Sequence, residues 1–412
     1  MSLIKEYRVR EYGIGSYIGQ EEVNEIEKVL LTSETLAYGP RRNKFESEFA
    51  KYCGVNYAIS TTSATSALYL TCQLLRLTAG DEIIGTPQTF RATYISALSR
   101  GVQIKFADID PETLNIDPSK IENLITPKTR AIYVMDYGGN PVEFDKVMKI
   151  ARTYNIPVVD DAAHAPGAVY DGKKVGSIAD ITCFSFHSLK NINTLGEGGM
   201  ITTNNPDYMK EAIRLREMDV IGEKKERESY KIGNYNSLHP SVYDHSGESF
   251  THDFIRIDEW GNNFRMSEVQ AAVGSVQLRK LDEFNGIRKK IAERYTEGLS
   301  GIKGIRVPKT TSKAKNVWHL YPCFLDTNVV KCDKNEFIYY LENKGIQIIP
   351  RFFPVHLSDY MRYLGHQYGE CPVCERVWFE EQINLPINPR ISFEDVDFVV
   401  EVINSAVKHF KS

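Results

Sequence analysis

The sequence predicts an α/β chain: a large domain built on a mostly parallel sheet, followed by a smaller C-terminal α+β domain. Three observations predict it. From about residue 57 to 205, short apolar runs alternate with amphipathic stretches of helical length, the pattern of βαβ units. Residues 220–254 interrupt that pattern with charge and then with Asn, Ser, His and Gly, which reads as a long loop or flap. Beyond them a long helical period leads into a weaker mixture of strand and helix. At roughly 150 residues per domain, 412 residues allow two to three domains. The expected division is 1–255 and 256–412.

The expected strands are Tyr57 to Ser60, Glu82 to Gly85, Gln103 to Ala107, Ala131 to Met135, Pro157 to Asp160, Ile181 to Phe186 and Met200 to Thr203. Between them, Ser63 to Leu77, Phe90 to Arg100 and Val142 to Tyr154 have helical spacing. Ser267-Glu-Val-Gln270 is a capping box, and Met266, Val269, Val273 and Val276 recur every three or four residues, so a helix is expected over about 265–299. In the C-terminal part, Trp318 to Leu325 and Gln347 to Pro350 read as strands, and Lys334 to Lys344 and Phe393 to Lys408 as helices.

Composition narrows the function. The chain is 42% hydrophobic and 25% charged, ordinary globular usage. Lys+Arg 50 against Asp+Glu 54 gives a net charge of −4, too balanced for a nucleic-acid binder that must cluster cations. No apolar run reaches the roughly 18 residues of a spanning helix, and the charged N-terminus does not resemble a signal peptide, so no membrane partner and a cytoplasmic location are expected. Seven scattered cysteines fit reduced thiols. Cys371-Pro-Val-Cys374 lacks a second ligand pair for zinc, and His239, His245 and His252 are irregularly spaced, so no metal is expected.

In parallel sheets, ligands sit outside the carboxyl ends of the strands. Three such ends carry chemistry. Thr61-Thr-Ser-Ala-Thr-Ser-Ala-Leu68 ends a strand and starts a helix, offering amides to an anion, although Ser and Thr there also serve as plain caps. Val158-Val-Asp-Asp-Ala-Ala-His164 places two carboxylates and a histidine after an apolar run. Cys183-Phe-Ser-Phe-His-Ser-Leu-Lys190 places a lysine past a buried strand, ahead of Gly196-Glu-Gly-Gly199; desolvation can lower such an amine's pKa enough to make it a nucleophile. Anion cradle, carboxylate and lysine together match the phosphate, ring nitrogen and aldehyde of pyridoxal 5′-phosphate.

With these motifs, and with Gly39-Pro40, Phe45-Glu-Ser-Glu-Phe-Ala50 and Leu385-Pro-Ile-Asn-Pro389, nearly the whole chain resembles the DegT-type sugar aminotransferases of the fold-type I pyridoxal phosphate enzymes. The resemblance implies that Lys190 is the Schiff-base lysine and Asp161 the carboxylate at the pyridine nitrogen. It implies that His164 lies beside the phenolic oxygen, that Phe90 stacks on the ring, and that Ser185 with the amides of Ala64 and Thr65 holds the phosphate. Gly261-Asn-Asn-Phe-Arg265 matches a segment whose asparagine, here Asn263, reaches the phosphate of a neighbouring subunit, which implies a homodimer with shared sites. The family usually has Gly where Ala64 stands, and His-Tyr where Arg351-Phe352 precedes Pro354-Val-His356.

The expected activity is amine transfer from L-glutamate, as amino acid donor, to a keto group of a nucleotide-linked sugar. A cyclitol ketone with glutamine as donor is the alternative within the family, and a non-catalytic cofactor-binding regulator the alternative outside it. Retention of Lys190 and Asp161 argues against the regulator. A nicotinamide oxidoreductase fits worse, because Gly13-Ile-Gly-Ser-Tyr-Ile-Gly19 misses the GxGxxG spacing by one residue.

Overall fold

A computed structural model of the chain describes residues 6–11, 13–37, 39–218 and 261–411. The expected boundary at 255/256, the 220–254 segment and its three histidines lie outside the described residues. The strands that pair in the large sheet are β1 (Tyr57–Thr61), β2 (Glu82–Gly85), β3 (Gln103–Phe106), β4 (Thr129–Met135), β5 (Val158–Asp161), β8 (Ile181–Ser185) and β9 (Gly199–Thr203). The short β6 (Val169–Tyr170) and β7 (Lys173–Lys174) lie between β5 and β8 in the chain. The sheet order is β1-β9-β8-β5-β4-β2-β3; only β9 runs antiparallel to its neighbours.

Burial on both faces explains why these strands read as unbroken apolar runs rather than as alternation. Ile132, Val134 and Val158 pack on one side with Phe45 and Phe49 from helix Pro40–Cys53. Tyr133, Val159, Ile181 and Cys183 pack on the other with helices Ala64–Leu74 and Ala92–Ser99. Period two therefore sends Asp160 and Asp161, adjacent on β5, to opposite faces.

The C-terminal sheet is formed by β10 (Ile305–Arg306), β12 (Tyr321–Leu325) and β13 (Gln382–Leu385), with β12 central and antiparallel to both. A third sheet pairs β11 (Ala314–Lys315) with β6, and β6 with β7. Helix Glu268–Ser300 serves two cores: Ala271, Leu278 and Leu281 join that of the large sheet, whereas Ile291, Ala292 and Tyr295 join the C-terminal one.

One expectation needs correction. Gln347 to Pro350 forms no strand: Ile346 makes a single parallel bridge to Val9, and Pro350 has no amide hydrogen to extend a ladder. The third strand of the C-terminal sheet is instead Gln382–Leu385, an apolar run too short for its period to be told from a helix segment. Helices Gln20–Thr32 and Pro40–Cys53 were not anticipated; the first leaves Leu30 and Leu31 exposed, which blurs its apolar stripe.

Candidate active site

The three motifs read from the sequence converge at the carboxyl ends of β1, β5 and β8. At β1, Ser63 caps helix Ala64–Leu74 by accepting a hydrogen bond from the Ser66 amide at 3.1 Å. The amides of Ala64 and Thr65 stand in the first turn, where a helix has no acceptor of its own for them. β9 presses against this turn through Gly199, where a Cβ would strike the Ser63 carbonyl and lie 2.6 Å from the Ala64 nitrogen. Only a glycine lets sheet and helix start approach this closely.

At β5, Asp161 is buried and both its oxygens accept hydrogen bonds, Oδ2 from the Thr93 hydroxyl at 2.7 Å and Oδ1 from the Ala163 amide at 3.2 Å. Burial raises its pKa, and those two bonds and the charge of Lys190 oppose the shift. Asp160, on the other face, has only the Thr182 hydroxyl near it and no well-formed hydrogen bond among the described residues, and burial beside Asp136 and Asp161 pushes its pKa well up, with Thr182 opposing the shift. The two carboxylates differ accordingly: the field of Lys190 reaches Asp161, while Asp160 stays in an uncompensated interior.

His164 is buried and its Nδ1 accepts the Gly138 amide hydrogen at 3.3 Å, which leaves Nε2 as the donor. Burial, together with the positive charges of Lys190 and Arg351, holds the ring neutral, its pKa well below the usual histidine value. His319 lies over it with ring centroids 4.2 Å apart, and Phe352 stacks at 5.7 Å and 18°. Phe90, 48% exposed, meets Phe352 with centroids 5.8 Å apart.

Lys190 lies in the loop from β8 to β9. That loop is closed by backbone bonds from Phe186 to Gly198 and from Ser188 to Gly196, and Ser185, at its base, accepts the His187 amide hydrogen at 3.3 Å. The glycine-rich segment at Gly13 to Gly19 is a strap on this loop rather than a nucleotide fingerprint. The Gly15 amide donates to the Ser188 carbonyl at 2.8 Å, a Cβ on Gly15 would collide with the Leu189 carbonyl, and buried Arg288 holds the Gly15 carbonyl at 2.7 Å. Burial drives the Lys190 amine down to about 7; Asp161 and Glu11 oppose the shift and Arg351 adds to it.

Asn263 has no hydrogen bond to Asp161, His164 or Lys190 among the described residues, although the Thr62 amide donates to the Phe264 carbonyl next to it at 3.0 Å. It is exposed, and its segment is tied to the end of helix Pro206–Arg216 by bonds from the Asn262 amide to Leu215 and from the Phe264 amide to Arg216. It does not cap the following helix, because Ser267 and Gln270 do so. Cys371 and Cys374 are buried free thiols at the start of helix Pro372–Arg376, and the described residues contain no group that could hold a metal.

Thr93, Tyr137, His319 and Glu11 border the site, and no motif in the sequence assigns them to it; Arg351 borders it too. Arg351 and Phe352 did stand out, as a departure from the family's His-Tyr. The others sit in ordinary helix, turn and loop contexts that carry no local signal.

The whole chain has known counterparts. Residues 16–404 match the DegT/DnrJ/EryC1/StrS aminotransferase family. The chain is 33% identical over 386 residues to the dTDP-3-amino-3,6-dideoxy-alpha-D-galactopyranose transaminase of Aneurinibacillus thermoaerophilus, covering 93% of this chain and 95% of that protein. It is 32% identical over 401 residues to the UDP-4-amino-4,6-dideoxy-N-acetyl-beta-L-altrosamine transaminase of Campylobacter jejuni, covering 96% of each. The crystal structure of DesV from S. venezuelae, in complex with a ketimine intermediate, superimposes with a TM-score of 0.81 at 28% identity, covering 94% of this chain and 95% of that one. The chain belongs to the DegT/DnrJ/EryC1/StrS sugar aminotransferase family and is a pyridoxal 5′-phosphate-dependent transaminase.

Proposed function

We propose that this enzyme moves an amino group from L-glutamate to a keto group of a nucleotide-linked sugar, with Lys190 as the residue that carries the cofactor and moves the proton. The observation that carries the reading is the meeting, at the carboxyl ends of β1, β5 and β8, of the open amides of Ala64 and Thr65, the anchored carboxylate of Asp161 and the closed loop of Lys190, whose amine burial lowers to about 7. When bound, pyridoxal 5′-phosphate supplies an aldehyde for the amine and a ring that withdraws the electron pair left on the substrate carbon.

The residues fit that group. Asp161, anchored by Thr93 and Ala163, is a buried carboxylate able to hold a protonated ring nitrogen. The first-turn amides of Ala64 and Thr65 and the Ser185 hydroxyl suit a phosphate at a helix start, with clearance given by Gly199. His164, neutral with Nε2–H available, suits the phenolic oxygen, and Phe90 suits the ring face. Lys190 Nζ, once freed by the donor's amine, would take the proton from the donor's α-carbon and pass it to the cofactor's aldehyde carbon, and with the acceptor bound it would move a proton the other way, from that carbon to the acceptor's carbon. We assign Asn263 to the phosphate of a partner subunit in a homodimer. Its exposure supports this, as does the Thr62 amide bond to the Phe264 carbonyl, which fixes its segment beside the anion cradle.

The relatives' names, which give amino sugars linked to dTDP and UDP, support the substrate class. The test is a panel of nucleotide-linked keto sugars and cyclitol ketones, offered with glutamate or glutamine and read by mass spectrometry for the aminated product. Amination of a nucleotide-linked sugar with glutamate is the expected result; amination of cyclitols alone would overturn the reading.

A further inference from the structure

Arg351 joins the site from the C-terminal part of the chain, and its backbone is held from several sides. Its amide donates to Asn384 Oδ1 at 3.0 Å, and its carbonyl accepts from the Gln382 amide group at 2.5 Å and from the Tyr137 hydroxyl. Tyr137, Gln382 and Asn384 are themselves buried and hydrogen-bonded to one another.

Phe352, next to Arg351 in the chain, stacks on His164 with centroids 5.7 Å apart, and Tyr137, which donates to the Arg351 carbonyl, meets His164 edge-on at 6.5 Å, so Arg351 borders the pocket and its charge is felt by Lys190, His164 and His319. Its side chain retains 16% exposure, and its bond to an acid is the 2.5 Å contact from Nη2 to Glu11 Oε2. Arginine presents five N–H donors in a planar fork suited to a carboxylate, so among the described residues this contact leaves most of the fork uncommitted. Glu11 approaches on the N-terminal segment, which is pinned to the C-terminal part by the Val9–Ile346 bridge and by the Glu11 amide donating to Gln347 Oε1 at 3.1 Å. A cation beside the reacting lysine, with an acidic side chain resting on one edge, has the form of a carboxylate subsite held by an internal carboxylate.

We propose that Arg351 is the carboxylate-binding residue for the amino donor, and that Glu11 occupies part of its fork until the donor's carboxylate takes that place. The inference rests on the transaminase reading above and deepens it by naming the subsite for the amino acid. A carboxylate bound there brings the donor's amine toward Lys190, and its negative charge offsets the second cation of the pocket.

The test uses the cofactor-loaded protein and two probes. Glutarate, a dicarboxylate without an amine, is titrated by calorimetry. L-glutamate is followed in a single half-reaction through loss of the cofactor's visible absorbance. Arg351→Gln is expected to weaken glutarate binding and raise the half-saturating glutamate by about 10-fold or more. Glu11→Gln is expected to do the reverse, tightening glutarate several-fold because the fork is released, an effect that a purely structural role for the pair would not give. Cofactor occupancy and circular dichroism confirm that each variant is folded. Unchanged glutarate affinity and unchanged glutamate saturation in Arg351→Gln would overturn the proposal. So would weaker glutarate binding in Glu11→Gln, whose fold does not depend on replacing the arginine. If the wild type accepts amine from no amino acid, the transaminase reading fails instead; a wild type that reacts with glutamate beside an indifferent Arg351→Gln leaves that reading standing and removes only the subsite.

Discussion

Two neighbouring carboxylates illustrate how burial and facing decide a residue's part. Asp161 and Asp160 are one position apart, yet Asp161 accepts bonds from Thr93 and Ala163 on the face where Lys190 is felt, while Asp160, on the opposite face, has among the described residues only the Thr182 hydroxyl near it and no cation lowering its pKa. Asp161→Asn is therefore expected to keep some cofactor but lose most turnover, because a neutral amide cannot hold the ring nitrogen's proton by charge. Asp160→Asn is expected to keep most activity, since burial already favours the uncharged acid there. Steady-state rates of the two variants check this, and a reversed order would exchange their roles. Lys190 adds a pH dependence. An amine whose pKa is lowered is charged below that value and neutral above it, so with a value of about 7 the nucleophilic fraction grows as pH rises through 7 and then levels. The rate at which the cofactor-free protein takes up pyridoxal 5′-phosphate should follow that curve. A rate still climbing beyond pH 9, as for a lysine near its ordinary 10.5, would contradict it.

At the scale of elements, the cradle depends on β9 lying against the start of helix Ala64–Leu74. Gly199→Ala would drive a methyl group into the Ser63 backbone, and overpacking of this kind typically costs about 1–3 kcal/mol. Both the denaturant midpoint and the affinity for pyridoxal 5′-phosphate should fall, whereas Ser63→Ala, which removes only the cap, should cost about 1 kcal/mol of stability. A Gly199→Ala protein with wild-type cofactor affinity would show that the close approach does not shape the anion site. These elements were legible because each buried strand reads as an apolar run and each chemical motif sits within a few residues of a strand end. The strap at Gly15, the Thr93 bond to Asp161 and the wall made by His319 and Phe352 were not, because each joins segments far apart in sequence. Gln347 to Pro350 misled for the related reason that a short apolar run reads the same whether or not a neighbour pairs with it.

For the whole molecule, the reading requires two chains to complete one site. Asn263 is exposed in the single chain and does no capping, which leaves it available to a partner. Subunits carrying only Lys190→Ala and subunits carrying only Asn263→Ala should each be impaired. In a mixed dimer one site collects both lesions and the other neither, so activity should recover toward about half of the wild-type value, and cofactor affinity should depend on protein concentration through dimerisation. Heterodimers that form and recover nothing would return Asn263 to a structural role. The central claim, that amine chemistry is anchored at Lys190, is tested most directly by reducing the cofactor-loaded protein with borohydride and mapping the modified peptide across the entire chain. The account predicts the pyridoxyl mass on the peptide containing Lys190, and none in Lys190→Ala; the label on any other lysine of the wild type would contradict it.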